Sequence, residues 1–194
     1  MKLITFGAMR KLKLDQLGRL SVDEFKTSKK IPVCIFLDNV RSLHNVGSAF
    51  RTGDAFSVEK LILTGITGVP PHREIEKTAL GATASVPWEY HENAGQIAAK
   101  LRSEGWQIVV VEQTTESIPL QKYSPGENQK LCLVFGNEIN GVSDDVLEHA
   151  DVALEIPQSG TKHSLNISVC VGIVTWEIYS KVSLTDHTDR SSGD

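Results

Sequence analysis

A chain of 194 residues, 40% hydrophobic, 23% charged and with a net charge of −4, is long enough to bury one substantial core, and its composition excludes fibrous, disordered and disulfide-rich classes. No run approaches the roughly 18 consecutive apolar residues of a membrane span, and the opening MKLITFGAMRKLKLDQL lacks the continuous apolar stretch of a secretory leader, so a soluble, cytoplasmic protein is expected. The acidic average hides an asymmetry: residues 1–30 carry eight Lys/Arg against three acids, a net +5, and the remainder carries −9.

That N-terminal arm, 1–30, reads either as a source of phosphate contacts or as a charged helix packed on the body. From residue 31 to 182 the pattern alternates between short β-rich runs and helical stretches, predicting one α/β domain. Strands are expected at Pro32–Leu37, Lys60–Thr64, Val86–Tyr90, Trp106–Glu112, Lys130–Phe135 and Val152–Ile156. Helices are expected at Val46–Ala55, Ile75–Ala84, Ala94–Ser103, Ser143–His149 and from Leu165 to about Lys181. VCIFL, QIVVV and LCLVF are apolar at every position, as strands are when helices cover both faces of a mostly parallel sheet. The polar tail 183–194 is expected to fray. Cys34, Cys132 and Cys170 sit far apart in apolar runs without a CxxC, and read as core residues. His44, His72, His91, His149, His163 and His187 are scattered, so no metal is expected.

Three polar clusters interrupt the pattern at the C-terminal ends of strands, where open α/β sheets place their ligands. In the first, LDNVRSLHNVGSAFRTGDAF, Asn45 caps or precedes a helix and Arg51 lies six residues on; taken alone, each has a structural reading, a helix cap and a surface salt bridge. In the second, LVFGNEINGVSDDVL, a buried strand runs into Gly136, Asn137 and Glu138 and then Gly141, glycines that permit tight turns and close backbone approach to a ligand. In the third, IPQSGTKHSLNISVCVGIVTWEI, a strand ends and Ser164, Leu165 and Asn166 open an apolar helix whose first amides lack partners. Neither GxxxxGK[ST] nor a GxGxxG after the first strand is present, which disfavours phosphate-loop and dinucleotide enzymes.

Together NVGSAFRTGDA, VFGNEINGVS and IPQSGTKHSLNISVCVG resemble the three ordered motifs of the SpoU, or TrmH, family of the SPOUT superfamily. EKTALGA and the Val86-Pro87 that follows it add to the resemblance, which covers about residues 33–180. It implies a C-terminal trefoil knot in the α/β domain, a homodimer that completes each active site, and transfer of a methyl group from S-adenosylmethionine to a ribose 2'-hydroxyl of RNA. Matched residue by residue, the likeness puts Arg51, Asn45, Asn166, Ser164 and Glu138 in the catalytic cluster and Gly136, Ile156 and Leu165 at the cofactor. Arg51 is expected at the ribose, Asn45 and Asn166 orienting it or its loops, Glu138 and Ser164 holding the knot loops and cofactor.

Family proposals make the arginine a general base. A guanidinium keeps its proton in proteins, and a charged Arg51 that clamps a phosphate while water takes the hydroxyl proton meets the same requirement; both readings stand. Longer relatives carry an RNA-binding domain that is not matched ahead of this one, which leaves recognition to the basic arm or to RNA shape; compact relatives of this kind often act on tRNA, so a tRNA is the expected substrate, otherwise rRNA. The alternatives are a knotted methyltransferase acting on a base, a non-enzymatic RNA-binding factor and a small-molecule methyltransferase.

Overall fold

In the computed structural model, which describes residues 10–13, 16–161 and 164–183, seven parallel strands form one sheet. The chain runs α1 (Val22–Thr27), β1 (Ile31–Asp38), α2 (Leu43–Ala55), β2 (Val58–Thr64), α3 (Arg73–Ala79), α4 (Ala82–Ser85), β3 (Trp88–His91) and α5 (Ala94–Ser103). It continues with β4 (Trp106–Val111), β5 (Ile118–Pro119), a 3-10 turn (Leu120–Lys122), β6 (Lys130–Phe135), α6 (Asp144–Leu147), β7 (Val152–Glu155) and α7 (Ile167–Ser183). Strand order is β3-β2-β1-β6-β4-β7-β5. The chain therefore lays down β1 to β3 in one direction, crosses to the other side, and then inserts β6 between β1 and β4 and β7 between β4 and β5.

The continuous apolar runs are explained by burial on both faces. Val33, Ile35 and Leu37 of β1 and Leu131, Leu133 and Phe135 of β6 face the helices α2, α3 and α7, with Val46, Phe50, Ile75, Val171 and Ile178 closing that core. The alternate residues Cys34, Phe36, Cys132 and Val134 face α5 and α6, packing with Ile97, Leu101 and Val146. Period-2 geometry thus sends successive side chains of one strand into two cores.

Most expected elements are present, with instructive departures. The helix expected over 75–84 is two pieces, because Leu80 (φ 50) and Gly81 (φ 92) both adopt the left-handed conformation that terminates a helix. The third strand begins at Trp88 rather than Val86, and the two-residue β5 was not expected. In the arm, Ser21 and Glu24 form a capping box that starts α1, and Phe25, 5% exposed, enters the main core. Lys30 lies over the Phe25 ring, 3.4 Å from its centroid. The second half of the arm is therefore a packed element, whereas Arg10, Lys11, Lys13 and Arg19 are exposed. Residues 1–9 of the arm, the tail from 184 on, His163 and His187 lie outside the described residues.

Among the described residues no helix is long and apolar enough to cross a membrane, and no three His, Cys, Asp or Glu side chains are grouped as a metal site would need.

Candidate active site

The C-terminal ends of β4, β6 and β7 open into a cavity of about 450 Å³. Its walls include residues that follow each strand: Glu112 and Gln113 after β4, Gly136 to Ile139 and Gly141 after β6, and Ile156, Gln158, Ser164, Leu165 and Asn166 between β7 and α7. Six of the eight residues expected from the sequence line it: Gly136, Glu138, Ile156, Ser164, Leu165 and Asn166. Asn45 and Arg51 do not.

The loop after β6 is a tight hairpin. Asn137 and Gly141 exchange backbone hydrogen bonds of 2.8 and 2.9 Å, while the Asn137 side-chain oxygen accepts from the amides of Ile139 and Asn140. Gly136 is required by this hairpin itself: a Cβ there would lie 2.1 Å from the Gly141 carbon and the Val142 nitrogen. Of the two reasons the sequence offered for the glycine, a tight turn and close approach of a ligand, the chain's own backbone supplies the first. Gly141 (φ 71) makes the return turn, and a Cβ on it would lie 2.2 Å from a Glu112 carboxylate oxygen.

Side chains then tie this hairpin to the start of α2. The Glu138 carboxylate accepts from the amides of Arg41 (3.0 Å) and Ser42 (3.1 Å) and from Nδ2 of Asn45 (3.2 Å). Burial opposes its charge, but the amide hydrogen bonds and the Asn45 side chain outweigh it and hold the carboxyl below its ordinary value. Asn137 donates to the Asn39 carbonyl at 2.7 Å. Asp38, at the end of β1 and fully buried, accepts from the Ser143 amide at 2.8 Å and from its hydroxyl at 2.7 Å. Glu112 accepts from the Val142 amide at 3.2 Å.

These contacts correct the expected part of Asn45. The cap of α2 is Ser42, whose hydroxyl accepts from the Asn45 amide, and Asn45 sits in the first turn with its side chain committed to Glu138. Asn166 is the residue that caps, its side-chain oxygen accepting from the amide and hydroxyl of Ser168 at 2.8 and 2.6 Å. Its side-chain NH2 is then the polar group it can offer toward the cavity. Ser164 and Leu165 are exposed in the wall beside it.

Arg51 stands apart. It is exposed and forms no salt bridge with a described residue, so the surface ion pair considered for it is absent. At about 100° per residue, a six-residue separation leaves Arg51 roughly 120° around the helix from Asn45. Asn45 is turned to the β6 hairpin, and Arg51 does not line the cavity of its own chain.

The remaining thiol also departs from expectation. Cys34 and Cys132 are buried, but Cys170 is only partly buried and lines the cavity, where burial raises the pKa of its thiol. Asp38, Ser42 and Glu112 are the site residues that sequence reasoning passed over. Two of them had a readable signal, a carboxylate that ends a fully apolar strand run.

Residues 32–176 match the model of the SpoU rRNA Methylase family. The chain belongs to that family. It is 29% identical over 155 residues to the 23S rRNA (guanosine-2'-O-)-methyltransferase RlmB of Neisseria meningitidis, covering 80% of this chain and 61% of that protein. It is 32% identical over 167 residues to the tRNA (guanosine(18)-2'-O)-methyltransferase of Aquifex aeolicus, covering 78% of this chain and 75% of that one. The chain thus matches less than two thirds of the RlmB-type relatives' length. Among solved structures, the A. aeolicus TrmH/SpoU tRNA modifying enzyme superposes with a TM-score of 0.76 at 29% identity, over 89% of this chain and 86% of that one. An AdoMet-bound rRNA methyltransferase from Sinorhizobium meliloti gives 0.71 at 26% identity, over 82% and 60%. The seven-stranded sheet and the loops that wall the cavity are thus those of a SpoU domain.

Proposed function

We propose that this SpoU domain transfers a methyl group from S-adenosylmethionine to a ribose 2'-hydroxyl of structured RNA, a tRNA first and otherwise an rRNA, in the cytoplasm. The observation that carries this reading is the cavity itself: all three sequence motifs meet there or are tied to it, the second and third as walls and the first through Glu138.

The cavity suits the cofactor. Its volume of about 450 Å³ lies within the roughly 300–1,000 Å³ of small-molecule sites. Val111, Phe135, Leu154, Ile156, Leu165 and Ile167 supply apolar walls for an adenine ring. Backbone groups at Gly136, Ile156 and Leu165 can meet its polar edge, and the nearby Glu112 and Glu155 carboxylates favour a cationic ligand. When bound, S-adenosylmethionine supplies an electrophilic methyl on a positive sulfonium. The protein must align the ribose oxygen opposite the sulfur and remove or relay its proton. Asn166 projects an amide into the cavity from the head of α7, Ser164 lies beside it, and Glu138 fixes the hairpin. Arg51 brings the positive charge that a phosphate and a developing alkoxide require.

Because Arg51 does not line its own cavity, we place it in the site of a second copy, in a homodimer. An apolar stripe supports this: Val169, Ile173 and Trp176, at i, i+4 and i+7 on α7, are 47%, 37% and 51% exposed. Trp176 touches Phe56, 5.7 Å between ring centroids, at the end of the helix that carries Arg51. The late insertion of β6 and β7 between strands already laid down, with Lys181 of α7 donating to the Tyr123 carbonyl at 2.6 Å in the β5–β6 connection, supports a C-terminal trefoil knot.

The test is transfer of labelled methyl from S-adenosylmethionine to total tRNA and total rRNA, followed by digestion to nucleosides. A 2'-O-methylated nucleoside is expected. A methylated base, or no transfer by protein that binds the cofactor, would overturn the assignment.

A further inference from the structure

The segments that follow β1 and β2, residues 39–45 and 65–73, run into the first turns of α2 and α3 and contain Arg41, Arg73, His44 and His72 and no Asp or Glu of their own, in a chain whose net charge is −4. Neither arginine side chain forms an ion pair with a described residue, and both are exposed. Of the acids that reach these segments, Glu74 is occupied by Lys77 at 2.6 Å and His44 at 2.9 Å, and Glu138 by the amides of Arg41 and Ser42 and the side chain of Asn45.

Apolar surface lies beside these two charges. Ile66 is 65% exposed, Val69 38% and Tyr90 44%. The Tyr90 hydroxyl donates to the Gly65 carbonyl at 2.8 Å, so its ring spans from the edge strand β3 to the turn after β2 that Ile66 continues. The strip is held rigidly to the cavity wall. Asn39 accepts from the Ile66 amide at 3.2 Å through its side chain and from Asn137 at 2.7 Å through its carbonyl. Thr67 accepts from the Val40 amide at 2.9 Å.

We infer that Tyr90, Ile66 and Val69, flanked by Arg41 and Arg73, form a platform on which an unpaired base of the RNA substrate stacks while the arginines take the adjoining phosphates. This rests on the RNA reading above and adds to it the recognition of a single-stranded nucleotide near the methylated one. An aromatic face with an aliphatic neighbour suits any base. Two exposed arginines without an ion pair to a described residue suit a polyanion. Continuity with the Asn39–Asn137 contact sets the platform beside the cavity.

The experiment uses the full chain, with a fluorescein-labelled 12-nucleotide oligouridylate and unfractionated tRNA as probes. Tyr90→Ala should weaken binding of both by roughly fivefold or more, the loss of one stacked base, and Ile66→Ser, at an exposed position outside the core, should weaken it in the same sense. Arg73→Ala should lower the slope of log K against log salt by about 0.7, one phosphate of a single strand. Leu80→Ala, an equally exposed apolar residue at the far end of α3, should change neither. Oligouridylate carrying 4-thiouridine should crosslink at Tyr90 or its neighbours. Unchanged affinity in both Tyr90→Ala and Ile66→Ser, absence of RNA binding by the wild type, or crosslinks confined elsewhere would overturn the platform. Titration with S-adenosylmethionine and the methyl-transfer assay separate the two ideas: Tyr90-dependent RNA binding without methyl transfer sinks the enzyme and keeps the platform, and methyl transfer indifferent to Tyr90 does the reverse.

Discussion

Replacing Asp38 tests whether the site is held by the buried contacts described above. Its carboxylate is fully buried and accepts from Ser143 N, Ser143 Oγ and Asn39 Nδ2 at 2.8, 2.7 and 2.8 Å. Hydrogen bonds to a charged group are worth about 1.5–3 kcal/mol each, and donors left unsatisfied by truncation cost about 1–3 kcal/mol each. With Ser143 only half buried and able to recruit water, Asp38→Ala should cost about 3–5 kcal/mol, near the range for breaking a buried charged network. For a domain of this size that is roughly 6–20 °C in Tm. Asp38→Asn keeps the shape but has one acceptor oxygen; turned toward Ser143, it sets its NH2 against the Asn39 NH2. A loss of about 1–3 kcal/mol is expected. Because Ser143 ends the segment that walls the cavity, affinity for S-adenosylmethionine should fall in both variants. Urea and thermal unfolding at pH 7 read the first quantity and calorimetric titration the second. A double-mutant cycle with Ser143→Ala should show a coupling of about 1 kcal/mol. Additivity within error, with Asp38→Asn as stable as wild type and binding cofactor normally, would refute the clamp.

Gly136→Ala should abolish cofactor binding and lower Tm, because its Cβ would collide with the Gly141–Val142 backbone; normal affinity in a calorimetric titration would show that the hairpin can open at little cost. The Glu138 carboxyl is held below its ordinary value of 4.5, so its contribution to stability is present above that pH and is lost as pH falls through the depressed folded value. Glu138→Gln should flatten this acid limb in a stability–pH profile, and an unchanged limb would place the acid sensitivity elsewhere. Arg51→Ala should retain cofactor affinity and lose about 2–4 kcal/mol of transition-state stabilisation in kcat/KM, with Arg51→Lys rescuing little because a point charge lacks the planar fork. Mixed with Gly136→Ala, it should regain activity in heterodimers if the site is shared, and no recovery in heterodimers shown to form would return Arg51 to its own chain. Deleting residues 1–20 should leave the fold intact, whereas deletion through residue 30 removes the buried Phe25 and should cost about 3–5 kcal/mol, the usual loss for a truncated core aromatic, as read by denaturant unfolding.

Much of this protein is legible in its sequence because a side chain's alternation and a loop's composition are local properties. VCIFL and LCLVF announce strands buried on two faces, and Val33 and Cys34 do enter opposite cores. The three polar clusters stand where strands end, so six candidates fall together in one cavity. What the sequence could not supply is partnership across the fold. Nothing local in Asp38 names Ser143 more than one hundred residues on, and nothing local in Asn45 says that its side chain meets Glu138, which arrives from the loop after another strand. The late insertion of β6 and β7 between earlier strands is likewise a matter of sheet order, which burial patterns do not encode. Residue types and periodicity determined the strands, the covered sheet and the chemistry available; only the tertiary structure decided which loops meet, because hydrogen bonds between distant loops depend on where the strands end in space and not on their spacing along the chain.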